Sequence, residues 1–73
     1  MYYVYLLVNK NNNRKYIGYT SDLKRRLKEH QRNGAWVLIY YEAYPLEDMA
    51  IDRERSIKRS GSIRKFLYKR LKL

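Results

Sequence analysis

Cysteine is absent from this 73-residue chain. No disulfide can brace it, and no thiolate metal site can form. Histidine occurs once, at His30, which excludes a cluster of imidazole ligands. Acidic residues are scarce, seven against seventeen lysines and arginines, for a formal net charge of +10. Such an excess describes partners rather than fold. Nucleic acid comes first, because each neutralised phosphate releases counterions. An anionic membrane surface comes second, and no apolar run is long enough to span a bilayer. Residues 1–8 are apolar but carry neither a basic leader nor a small-residue cleavage site, so they predict a strand rather than a signal peptide. A cytoplasmic location is the resulting expectation.

What is abundant is tyrosine, with nine copies that supply large amphipathic contact area. One domain over residues 1–73 is expected, with a core worth roughly 3–5 kcal/mol net. Residues 2–8 are aromatic and β-branched on both faces and read as a central strand. The asparagine run 11–13 marks a turn, and residues 14–19 return as the second arm of a hairpin. A turn centred on Lys10 and Asn11 would set Tyr5 opposite Tyr16 and Tyr3 opposite Gly18, with the glycine leaving room beside two phenols. Thr20 or Ser21 can cap a first helix, which carries Leu23 and Leu27 inward and stops at Asn33-Gly34. Residues 36–41 read as a third strand, again apolar on both faces, with Glu42, Ala43 and Tyr44 at its end, and Pro45 breaks it. A second helix opens at Pro45 with Glu47 and Asp48 in its first turn. Leu46, Ala50 and Ile57 share its inward face with Glu54. Ser60-Gly61 ends it. Ser62 caps a third helix with an Ile63, Phe66, Leu67 and Leu71 stripe. The expected class is α+β: a small three-stranded antiparallel sheet packed with three helices, in the order ββαβαα.

The stretch 16–30 organises the rest. Tyr16 leaves a strand that ends in glycine, a capped turn follows, and Arg26 and His30 lie at i and i+4 on one side of a helix. A phenol, a guanidinium and an imidazole together suit phosphodiester chemistry. They also fit an ordinary basic helix. Glu54 is the second anomaly. A carboxylate on an inward face requires an ion pair, a hydrogen-bond network or a metal. Lys58 at i+4 is its commonest alternative partner.

These residues resemble the GIY-YIG nuclease domain over nearly the whole chain. Tyr3-Val4-Tyr5 stands for the first motif and Tyr16-Ile17-Gly18 for the second. Arg26, then His30 one turn later, follow on the first helix, and Arg53-Glu54 matches the metal-binding position on the next. The size is similar to that of the compact stand-alone bacterial members. Two departures stand out: Tyr3 replaces the first motif's glycine, and the connection from His30 to Trp36 is short.

The resemblance implies a metal-dependent endonuclease that hydrolyses DNA, with a place in DNA repair or recombination. It implies magnesium or manganese, no small-molecule cofactor and no membrane partner. Glu54 would be the sole protein ligand of the cation, which fits an ion that keeps its waters and shares the substrate phosphate. Arg26 would hold the non-bridging oxygens through its planar fork. Tyr5 or Tyr16 would take or relay the proton of the attacking water, and His30 would assist or bind phosphate. Positive charge from Arg14, Lys15, Arg26 and the metal is expected to lower the phenol's pKa from its usual value of about 10. Arg14, Lys15, Arg25, Arg64 and Lys65 are the expected nucleic-acid contacts, with the basic third helix gripping backbone phosphate. The rival reading is a non-catalytic, basic nucleic-acid-binding module with the same fold.

Overall fold

The computed structural model describes residues 1–73. Its elements run β1 (Tyr2–Asn9), β2 (Lys15–Thr20), α1 (Leu23–Arg32), β3 (Trp36–Tyr44), α2 (Glu47–Arg59) and α3 (Gly61–Arg70). The three strands form one antiparallel sheet in the order β2-β1-β3. Both the α+β class and the ββαβαα order are as expected. No helix is long and apolar enough to cross a membrane.

The strand that is apolar on both faces takes the middle of the sheet, because only there are both faces covered. Val4, Tyr5, Leu6 and Leu7 are all buried. Val4 and Leu6 point to one side, where they join Ile17, Ala50, Ile57 and Leu67 in the core beneath α2 and α3. Each large aliphatic side chain buried there contributes about 1.5–3 kcal/mol. Tyr5 points to the other side, toward α1, which has no fully buried residue. One face of the sheet therefore carries the main core, while the other buries Tyr5 and Leu7 beneath a helix that stays partly exposed.

The hairpin register differs from the expected one by two residues. Tyr5 lies opposite Gly18, Leu7 opposite Tyr16 and Tyr3 opposite Thr20. The cause is Asn9. Its Oδ1 accepts from the backbone N–H groups of Asn11 and Asn12, and Asn13 takes a left-handed φ of 61°. These bonds move the turn's centre one residue toward the C-terminus. A two-residue shift keeps every side chain on its face. Tyr5 and Tyr16 thus remain neighbours, now on a diagonal.

Other boundaries also move. Asp22 caps α1 through Oδ1 and the Arg25 N–H, while Thr20 Oγ1 accepts from the Asp22 N–H. The third strand ends at Tyr44 as expected, but with a bulge at Ile39, where Leu6 pairs with Tyr40 and Leu7 with Leu38. α2 starts at Glu47 rather than Pro45, and Leu46 is exposed. Gly61 opens α3 instead of ending α2, because Ser60 is the cap and its Oγ accepts from the Ile63 N–H. Phe66 leaves the expected apolar stripe and is 80% exposed.

The bulge has a consequence on the core side. It places Glu42 opposite Val4, on the face covered by α2. There Arg53 donates to it twice, from Nε at 2.8 Å and from Nη2 at 3.0 Å. Tyr40 and Tyr44 each donate a hydroxyl to it at 2.5 Å. Burial alone would raise the Glu42 pKa, but Arg53 and the two phenols outweigh it, and the net shift is downward. Tyr44 moves the other way, to about 12, through burial and its bond to the carboxylate.

Candidate active site

Four of the expected site residues come together on the α1 side. Tyr5 contributes its phenol from the floor of the sheet, at 2% exposure. Its Oη lies 3.0 Å from His30 Nε2 and 3.4 Å from Arg26 Nε. Arginine can only donate, so Tyr5 accepts from Arg26 and has its own proton available for His30. The Tyr16 ring lies 6.1 Å from the Tyr5 ring and 4.5 Å from the imidazole, centroid to centroid.

Gly18 makes this arrangement possible. A Cβ built there would lie 2.7 Å from Tyr5 Oη and 2.9 Å from Tyr16 Cε1. The glycine is required by close approach of two rings, since no unusual φ is needed. The short connection at residues 33–35 has a positive effect as well. It delivers Trp36 straight to the site, 6.4 Å from the His30 ring and 6.2 Å from the Tyr16 ring. Trp36 is not among the expected site residues; its place just after the helix stop is the signal that could have found it.

The electrostatics correct one expectation. The Tyr5 pKa is raised, not lowered. Burial disfavours the phenolate more than Arg26 favours it. His30 is lowered, first by burial and then by the Arg26 charge. At neutral pH the pair is therefore a protonated phenol beside a neutral imidazole. Arg26 is raised by its bond to Tyr5 and by Tyr16, so both hydroxyls bear on the guanidinium. Its Nη1 also lies 3.8 Å from Glu29 on the exposed helix surface.

Glu54 is bonded to none of these four. Its Oε1 lies 3.5 Å from Lys58 Nζ, in an i,i+4 pair with the lysine side chain half exposed. No hydrogen bond or ion pair joins it to Tyr5, Tyr16, Arg26 or His30. A lone contact to an exposed lysine is worth about 0.3–0.5 kcal/mol. The carboxylate, 17% exposed, is otherwise unpartnered. No group of three or more acidic, histidine or cysteine side chains converges anywhere in the chain. One open carboxylate fits a hard cation that takes its remaining ligands from water and substrate phosphate. It does not fit an all-protein metal cage.

The chain belongs to the GIY-YIG nuclease family. The sequence model of the GIY-YIG catalytic domain matches residues 1–66. Among solved structures, the chain is similar to the solution NMR structure of the UPF0213 protein BH0048 from Bacillus halodurans. The two are 30% identical with a TM-score of 0.64, over 99% of this chain and 86% of the other. No curated protein sequence matches significantly. In this GIY-YIG domain the first-motif glycine is replaced by Tyr3. Its ring packs edge-on against Tyr41 at 6.0 Å, and its cross-strand partner is the small Ala43. Tyr5, two residues on, keeps its place opposite Gly18.

The expected nucleic-acid contacts divide into two groups. Arg14, Arg25 and Lys65 are exposed. Lys15 lies with its ammonium 5.3 Å from the Tyr68 ring centre. Arg64 is partly committed, because its Nη1 donates to the carbonyl oxygens of Ile57 and Lys58 and closes the end of α2.

Proposed function

We propose that this GIY-YIG domain is an endonuclease that hydrolyses DNA phosphodiester bonds with a divalent cation, magnesium or manganese, held by Glu54. The observation that supports it most is the hydroxyl of Tyr5, bonded at once to His30 and Arg26 and seated against Gly18, where any Cβ would collide with it. A role in DNA repair or recombination accords with the family.

The chain's own groups supply the proton path. Tyr5 takes the proton of the attacking water as it passes its own proton to His30 Nε2. A phenol with a raised pKa is a poor base by itself, so a neutral imidazole on its far side is what makes the transfer feasible. The lowered His30 pKa keeps that acceptor free at neutral pH. The terminal nitrogens of Arg26 face the non-bridging oxygens and stabilise charge as the phosphorus becomes five-coordinate. Tyr16, its ring beside Tyr5 and His30, orients the incoming water or phosphate. When bound, the cation at Glu54 would stabilise charge on the leaving oxygen.

The test is strand scission of single-stranded, duplex and branched DNA with magnesium or manganese. Tyr5→Phe should lower the cleavage rate by about 10²–10⁴-fold while leaving DNA binding intact. Cleavage that survives Tyr5→Phe removes the phenol from the mechanism. If the unaltered protein cuts none of the substrates, it is a basic binding module with a nuclease fold.

A further inference from the structure

Beside Tyr16, on the edge of the sheet, lies a cavity of about 300 Å³ lined by Lys15, Tyr16, Ile17, Lys58, Arg64 and Tyr68. Three of the six are cations and none is an acid. Two of the cations are held in place: Lys15 stacks over Tyr68, and Arg64 is anchored to the Ile57 and Lys58 carbonyls. The third, Lys58, is half exposed and tied only to Glu54.

We propose that this cleft is a phosphate subsite for the nucleic-acid backbone next to the reacting position, and that Lys58 exchanges Glu54 for that phosphate. The proposal rests on the nuclease reading for the identity of its ligand. A backbone phosphodiester carries the same single charge as a carboxylate, but in the cleft it would meet Lys15 and Arg64 as well as Lys58, whereas Glu54 is paired with Lys58 alone. Lys58 therefore turns toward the phosphate when the strand arrives. Glu54 loses its lysine at the moment when a cation is needed. In the free protein the ion pair holds the acid's place, so the charges stay paired until substrate is present. By linkage, whatever loosens the pair also strengthens backbone binding.

The experiment measures binding of a fluorescent single-stranded oligothymidylate by anisotropy, in EDTA, across a range of salt. Lys15→Gln and Lys58→Gln should each reduce the salt slope by about 0.7, close to a fivefold loss at 0.1 M salt. Lys24→Gln removes the same charge from the groove under α1, where Lys24 lies with Tyr3 and Tyr41, and should leave the slope unchanged. An equal loss in Lys24→Gln overturns the subsite, because the effect is then one of net charge.

The exchange is tested by a double-mutant cycle in the same assay. Glu54→Gln should tighten metal-free binding about twofold by releasing Lys58, and should do so no longer in Lys58→Gln. The same gain in both backgrounds overturns the exchange. Lys58→Arg, which keeps the charge, should restore the slope and shows that loss in Lys58→Gln is not misfolding. Intact cleavage with unchanged slopes would remove the subsite alone. Altered slopes in a chain that cuts no DNA would keep the subsite and remove the nuclease.

Discussion

Two carboxylates, Glu42 on β3 and Glu54 on α2, differ in almost every way that matters. Glu42 accepts from Arg53 twice and from two phenols. Glu54 has one lysine. Both side chains are largely covered, at 14% and 17% exposure. Burial therefore does not separate them; partners do. An acid whose lone pairs are all occupied holds strands and helix together. An acid whose one partner is half exposed keeps lone pairs free for a ligand. The same contrast runs through the tyrosines. Tyr40 and Tyr44 serve as donors to Glu42, whereas the hydroxyl of Tyr5 meets His30 Nε2 and Arg26 Nε rather than a carboxylate.

The largest effect expected from this contrast is on catalysis. Glu54→Gln should reduce metal-dependent cleavage by about a thousandfold, the equivalent of several kcal/mol of lost charge stabilisation. Its unfolding free energy should change by less than about 0.5 kcal/mol in urea titration. Cleavage that withstands this substitution would dissolve the distinction between the two acids.

Arg53→Met should do the reverse. It strands a buried carboxylate beside two phenols and should cost about 2–3 kcal/mol, discounted from a fully buried pair because Arg53 is one-third exposed. Cleavage assayed well below the melting temperature should stay near the parent value. A variant that kept its stability but lost activity would make Glu42 part of the site. Gly18→Ala sharpens the comparison on the other face. The added methyl has to displace two rings, at about 1–3 kcal/mol, and cleavage should fall with it.

The smallest effects are in pH. Glu42 has a lowered folded pKa, so its stabilisation is present above the unfolded carboxylate value and is lost as pH falls through the folded one. His30 is also lowered, so the folded state loses ground below the unfolded histidine value of about 6.5. Urea midpoints followed downward in pH should therefore show a first decline that His30→Ala removes, and a later, more acidic one that Arg53→Met diminishes. Tyr44 works at the opposite end. Its pKa near 12 means stability is lost as pH rises above about 10, in a step that Tyr44→Phe diminishes and that Tyr5 and Tyr40, also raised, share.

Much of this was readable in the residues, for identifiable reasons. Tyr5, Tyr16, Arg26 and His30 could be brought together because parity along a strand and i+4 spacing along a helix are local properties. They survived an incorrect turn centre, since a two-residue slip leaves faces unchanged. The Glu54–Lys58 pair was likewise visible as an i+4 alternative. Phe66 and the α3 cap were misread because a helical stripe does not say how wide the covering surface is, and Ser60 competes with Ser62 for the same role.

By itself, then, the sequence determined the order of elements, the central strand and the residues that share the α1 face. Only the tertiary structure decided that Tyr5 is held protonated, that Glu42 rather than Glu54 carries the dense hydrogen-bond network, and that Lys58 borders a cation-lined cleft. The reason is physical. Faces follow from backbone geometry a few residues long, whereas a group's charge state and freedom depend on what other segments bury it and on which donors they bring within about 3 Å.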